Sequence, residues 1–264
     1  MSDTNRVRNL EAGGRTVTIP VRPDLPSLSQ EYEAQYVRLL DRAARGNVQP
    51  RYLAVFWPMI GHRYAGELMI IGRAVNGWMI RWLIGDDRST AAVAATARRH
   101  SKRDGDTDPL AWVPASAGGR ADGYNSNRSA FWQTPRHLLR LERGGELSDW
   151  TSGLAWSNLA KLAPEPGGNP RGELFDLQVQ YGPDLIRQEV RELRPERVLV
   201  MTGRGWFEPF ARRLEIDVRW LDGRNLAVEG AGAGVGAKWV VTPHPMTRSP
   251  GLLAQSALDA FRSL

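Results

Sequence analysis

Four short apolar runs constrain the fold of this 264-residue chain more than any other feature. They are Leu68–Gly72 (LMIIG), Leu154–Asn158 (LAWSN), 197–202 (RVLVMT) and 238–242 (KWVVT). Each is strand-length, and each stops at a residue suited to a turn or a strand end. An unbroken apolar run, as opposed to an alternating one, marks a strand covered on both faces, as in a parallel sheet. Between the runs the period changes. Ser29 reads as the cap of an amphipathic helix over 29–45, with Tyr32, Tyr36, Leu39, Leu40 and Ala43 on one face. Further helices are expected near Ser89 and over 135–143, 182–193, 206–214 and 252–264. Strands alternating with helices specify an α/β class: a three-layer α/β/α sandwich around a central, mostly parallel four-stranded sheet.

The remaining stretches read as connections. Residues 1–28 are polar and proline-rich and suggest an extended arm. The apolar run 51–61 is broken by Pro58, which favours a packed loop or edge segment. Residues 101–127 read as a long surface loop. A hairpin-like pair is expected at 218–221 and 225–228, followed by the glycine-rich run 230–236 as a flexible loop. That run is no dinucleotide fingerprint, because the next element is a strand and no helix N-terminus is on hand for a phosphate. We therefore divide the chain into an N-terminal arm and helix packed on the core (1–65) and the main α/β domain (66–264).

Composition removes several classes of chemistry. The chain has no cysteine, which excludes disulfides, thiolate zinc sites, cysteine-ligated iron–sulfur clusters and cysteine nucleophiles. Its four histidines, at 62, 100, 137 and 244, are scattered, so no compact metal site is expected. Neither the GxxxxGK[ST] phosphate loop nor GxSxG occurs. No apolar run is long enough to cross a bilayer, and the polar start MSDTNRVRN is no signal peptide, so a soluble cytoplasmic protein is expected. Basic residues number 35 against 29 acidic ones, for a net charge of +6. Only Lys102, Lys161 and Lys238 are lysines, leaving 32 arginines. Arginine forks suit phosphate, although an arginine-rich genome gives the same count.

In a parallel sheet, ligands bind where loops leave the carboxyl ends of the strands. The loops at 73–78, 159–164, 203–206 and 243–248 are therefore the places to look. They carry Gly72-Arg73-Ala74-Val75-Asn76-Gly77-Trp78, Trp156-Ser157-Asn158-Leu159-Ala160-Lys161-Leu162-Ala163-Pro164 and Thr242-Pro243-His244-Pro245-Met246-Thr247-Arg248. Phe131-Trp132 stands ahead of an expected helix, and Pro195-Glu196-Arg197-Val198 leads a strand that runs to Gly203. In this order the pieces resemble the uracil-DNA glycosylase superfamily, over roughly residues 66–264.

The resemblance implies an enzyme that flips a base out of double-stranded DNA and hydrolyses its glycosidic bond, working as a monomer without cofactor. Such a reaction needs a donor to the leaving base and a polar group that holds water under the sugar. It assigns the leaving-base donor to His244 and the reading of the base edge to Asn158. Stacking falls to Phe131 or Trp132. Gly72 and Arg73 line the base pocket, and Arg248, Lys161 and Met246 meet DNA.

The first loop departs from the family pattern. Arg73 and Ala74 stand where relatives carry an acid or asparagine, and Val75 replaces the proline. Asn76, one step on, is the first candidate for positioning water, and Asp87 is its rival; Asp86 and Asp87 serve equally well as caps of the helix near Ser89. In uracil-specific relatives an aromatic in this loop excludes 5-substituted bases. Asn76 falls there, so the gate looks open to a bulky pyrimidine such as the glucosylated hydroxymethylcytosine of phage DNA, a substrate of antiviral defence. Ordinary uracil repair, a catalytically silent nucleic-acid-binding module and a nucleoside-processing enzyme are the alternatives.

Overall fold

The computed structural model describes residues 7–12, 15–20, 27–75, 80–102, 107–119, 124–145, 148–165 and 167–264. At the N-terminus β1 (Val7–Ala12) pairs antiparallel with β2 (Arg15–Pro20) in a ribbon of its own. This corrects the expected extended arm: Thr16, Val17, Thr18 and Ile19 are β-branched strand formers. Helix α1 (Gln30–Arg45) follows, with Ser29 Oγ accepting from the Tyr32 amide at 3.2 Å and the five expected apolar residues buried. The 51–61 run contains two strands, β3 (Tyr52–Val55) and the short β4 (Met59–Ile60), on either side of Pro58.

Then come β5 (Leu68–Gly72), β6 (Arg81–Leu83), α2 (Thr90–Lys102), the one-turn α3 (Trp112–Ala115) and α4 (Ala130–Arg143). Next are β7 (Leu154–Asn158), β8 (Leu162–Pro164), α5 (Gly172–Leu193), β9 (Arg197–Met201) and α6 (Arg204–Leu214). The chain finishes with β10 (Asp217–Trp220), β11 (Gly230–Gly234), β12 (Ala237–Thr242) and α7 (Pro250–Ser263). No helix among the described residues is long and apolar enough to cross a membrane.

The main sheet has the order β10-β11-β12-β9-β5-β7-β4. Its centre, β12-β9-β5-β7, is parallel throughout and consists of the four apolar runs. The sheet is nevertheless seven-stranded, because β4 adds antiparallel to one edge and β11 and β10 to the other. Strands β6, β3 and β8 form a separate antiparallel sheet. Side chains of the central strands divide between two cores. Met69, Ile71, Ala155, Val198, Val200 and Val241 meet α1, α5 and α6, whereas Leu68, Ile70, Leu154, Leu199, Met201 and Val240 meet α4 and α7. Helices therefore cover both faces.

The glycine-rich run is a strand, which corrects the loop expected there and the partner expected at 225–228. Close approach of the backbones explains the composition. A Cβ at Gly232 would overlap the Asp217 carbonyl, and one at Gly230 would lie 2.7 Å from the Trp220 ring, which covers that glycine. Helix α5 begins ten residues before its expected start because Gly182-Pro183 lies inside it. A Cβ at Gly182 would stand 2.9 Å from the Phe210 ring and 3.2 Å from the Leu159 carbonyl, so glycine lets α5 approach both α6 and the loop after β7. Part of the expected 101–127 loop is core, since Leu110 and Val113 are fully buried.

Candidate functional site

Among the parallel strands the order β7-β5-β9-β12 places β7 on one side of β5 and β9 and β12 on the other. The crossovers therefore diverge between β5 and β9, and the crevice at their carboxyl ends is the expected ligand position. Arg73, the first residue after β5, spans it: its Nε donates to the Thr202 carbonyl at 2.8 Å, just beyond β9. A cavity of about 330 Å³ opens there, lined by Arg73, Thr202, Trp206, Glu229, His244 and Arg248 among others. A second hollow, of about 400 Å³, lies against α4 between Asn127, Gln133, Arg136 and Trp150, and among the described residues no carboxylate or imidazole lines it.

Local geometry makes the first cavity possible. Gly203 has φ of +83°, a left-handed conformation natural to glycine. A Cβ there would lie 3.6 Å from Glu229 Oε2, 3.7 Å from an Arg73 guanidinium nitrogen and 3.8 Å from the His244 amide. These three groups thus converge on the end of β9. Arg73 also lies over the Trp206 ring, 5.4 Å from its centroid, a cation–π contact. Burial lowers the pKa of Arg73, and the Glu229 carboxylate opposes that shift.

His244 is half-buried at the end of β12, between two prolines. Its Nδ1 accepts from the Met246 amide at 3.4 Å. Burial, with the nearby Arg73 charge, pushes its pKa down to about 4. At neutral pH the imidazole is therefore uncharged, and with Nδ1 as acceptor its proton sits on Nε2 as a donor.

Beside this cavity is a second group of residues. Asn158 ends β7 and pairs in register with Gly72, which ends β5. A Cβ on Gly72 would be 2.5 Å from Asn158 Oδ1 and 3.1 Å from the Phe131 ring, so only glycine leaves room here for both the amide and the ring. Asn158 is 2% exposed, and its Nδ2 has no hydrogen-bond partner among the described residues. An unpaired buried donor is costly unless a ligand satisfies it.

The structure thus places Gly72, Arg73, Phe131, Asn158, His244 and Arg248 around the carboxyl ends of the central strands. Arg248 lines the cavity and reaches Asn225 Oδ1 at 3.2 Å, and Met246 beside it is 78% exposed. Trp132 is corrected from a stacking candidate to a core residue. It sits in the first turn of α4, 2% exposed, packed edge-on to Trp112, Trp150 and Trp156, and only Phe131 faces Gly72.

Lys161 is also corrected. It is fully buried and touches no surface that could meet DNA, because its Nζ pairs with Glu189 at 2.7 Å and donates to Ser157 Oγ and the Asn158 carbonyl. Asp87 is exposed on the turn between β6 and α2, and it does not line the cavity. Ser89 caps α2, accepting from the Ala92 amide. Asn76 lies outside the described residues.

Glu229 was not singled out from the sequence. It stands one residue before Gly230, the partner of Val241, and so beside the end of β12. Reading the glycine-rich run as a strand would have revealed it. No model of a known protein family matches the chain, and no curated protein matches it in sequence.

Proposed function

We propose that this chain is a DNA glycosylase that flips a modified or aberrant pyrimidine out of double-stranded DNA, releases it by hydrolysis and leaves an abasic site. The observation that carries the reading is one convergence: the unpaired, buried Asn158 amide beside Phe131, at the same strand ends as the neutral His244. An amide donor against an aromatic ring suits a flat base with polar edges. A neutral imidazole with Nε2–H suits the negative charge that develops on a departing base. The resemblance to uracil-DNA glycosylases, in the order Gly72, Phe131, Asn158, His244, supports the same assignment.

In this reading Phe131 stacks on the flipped base, Asn158 grips its edge, and Arg248 with Met246 meets the DNA around the gap. The enzyme acts as a cytoplasmic monomer, and the reaction calls for no cofactor. Asn76 stands in the sequence where uracil-specific relatives carry the aromatic of the first loop, which favours a bulky 5-substituted base such as glucosylated hydroxymethylcytosine over uracil. A second reading, a silent binding module on the same fold, is favoured by Arg73 and Ala74 in place of an acid.

The test is incubation with a panel of duplexes carrying uracil or glucosylated cytosines, followed by alkaline cleavage at abasic sites. Release from one of them, lost by about 10²–10³-fold in His244→Ala and in Asn158→Ala with folding intact, is expected. Salt-sensitive binding without any cleavage would instead establish the binding module.

A further inference from the structure

We propose that Glu229 is the catalytic carboxylate of this site, facing the glycosidic carbon and holding the attacking water. The proposal rests on the glycosylase reading above. Glu229 is the only carboxylate among the described residues that line the cavity. It is also firmly placed. Its amide donates to the Val241 carbonyl at 2.8 Å, and its carbonyl accepts from Leu221 at 2.9 Å. Its Oε2 accepts from the Arg204 amide at 2.5 Å, at the N-terminus of α6. Oε1 is bonded to no described residue, which leaves it available to a water.

The position suits the chemistry. The carboxylate lies over the end of β9, and Asn158 ends β7, two strands away in the order β7-β5-β9. Adjacent strands are about 4.8 Å apart, so the gap is about 10 Å. A pyrimidine nucleoside gripped at its edge by Asn158, with its glycosidic carbon toward Glu229 and a hydrogen bond at each end, spans a gap of that size. His244 enters from β12, beside the same point.

The step balances without another reactant. The bond between C1′ and the base nitrogen breaks and its electron pair leaves with the base, whose negative charge His244 Nε2–H stabilises. Water adds its oxygen to C1′. The water proton passes to the Glu229 carboxylate and from there, through solvent, to the released base. A carboxylate also stabilises the positive charge that builds on the sugar, which a strong base is not needed to do.

The competing role for Glu229 is structural, as a cap of α6. Glu229→Gln separates the two, because a glutamine oxygen still accepts from the Arg204 amide while the charge is gone. Single-turnover base release, duplex binding and thermal unfolding are measured on the full chain. The expected result is about a hundredfold slower release with binding and melting unchanged. Should Glu229→Gln unfold, Glu229→Ala with added formate is the second measurement, and partial recovery of the rate by formate is expected. Wild-type release rates in Glu229→Gln, or no formate recovery in a folded but slow Glu229→Ala, overturn the role alone. A wild-type protein that binds DNA and releases no base from any duplex overturns the glycosylase reading and this role with it.

Discussion

Arg73 Nε donates to the Thr202 carbonyl at 2.8 Å, tying the end of β5 to the end of β9 across the crevice where the crossovers part. This holds a guanidinium beside His244, whose pKa lies near 4 through burial first and the Arg73 charge second. Removing the charge in Arg73→Met should therefore raise the His244 pKa toward its ordinary value of 6.5. An NMR titration of the imidazole checks this. A midpoint unchanged near 4 would mean that burial alone sets it.

The same shift makes stability depend on pH in a fixed direction. The folded protein resists protonation of His244 until about pH 4, while the unfolded chain takes up the proton near 6.5. Between these values the unfolded state binds more protons, so stability falls as pH drops from about 6.5 to about 4 and is unaffected by this group above that window. His244→Asn should flatten that part of the curve. Urea unfolding at pH 5 and pH 7 supplies the comparison, and equal pH slopes for the two proteins would refute it.

Gly72→Ala should harm function more than folding. The new methyl would sit 2.5 Å from Asn158 Oδ1 and 3.1 Å from the Phe131 ring, so the amide must move. Overpacking of this kind costs about 1–3 kcal/mol, whereas misplacing a binding group by an ångström can cost about 10²-fold in rate. Base release at the wild-type rate in a folded Gly72→Ala protein would show that Asn158 has room to spare.

The Lys161–Glu189 pair should act as a structural clamp under the site. Both side chains are fully buried, and Glu189 also accepts from Tyr32 at 2.7 Å and Ser157 at 2.6 Å. Burial lowers the Lys161 pKa, with Glu189 opposing the shift. Lys161→Met leaves the carboxylate buried without its cation and should cost about 3–5 kcal/mol in urea unfolding. Adding Glu189→Leu should recover part of that loss by removing the second charge. A fully stable single variant would mean that the pair does not clamp the fold.

Much of the fold was legible because its signals are local. The Ser29 cap and the α1 face are written within one stretch of helix, and the four central strands announce themselves as short, mainly apolar runs. The edges were legible only in part: the edge strand β10 was expected at 218–221, and β11 beside it was not. Gly230–Gly234 has no apolar side chain beyond alanine, and it is a strand because its backbone lies against β10 and β12 too closely for larger residues. Helix α5 was shortened in reading because a Gly-Pro pair resembles a helix start when the Phe210 ring that requires the glycine is 28 residues away.

By itself the sequence determined the strand and helix alternation, and hence that the loops carrying Gly72, Asn158, Gly203 and His244 leave the carboxyl ends of the central strands. Tertiary structure alone decided which side chains share that place. Phe131 and Trp132 are neighbours in the chain, yet they point to the site and to the core respectively, because adjacent positions on a helix lie about 100° apart. Lys161 is three residues from Asn158 and lies buried against α5. Glu229 is 25 residues from Arg204 and meets its amide because β11 pairs with β12. Periodicity is written within a few residues, whereas convergence depends on strand order and crossover direction, which no short stretch of sequence contains.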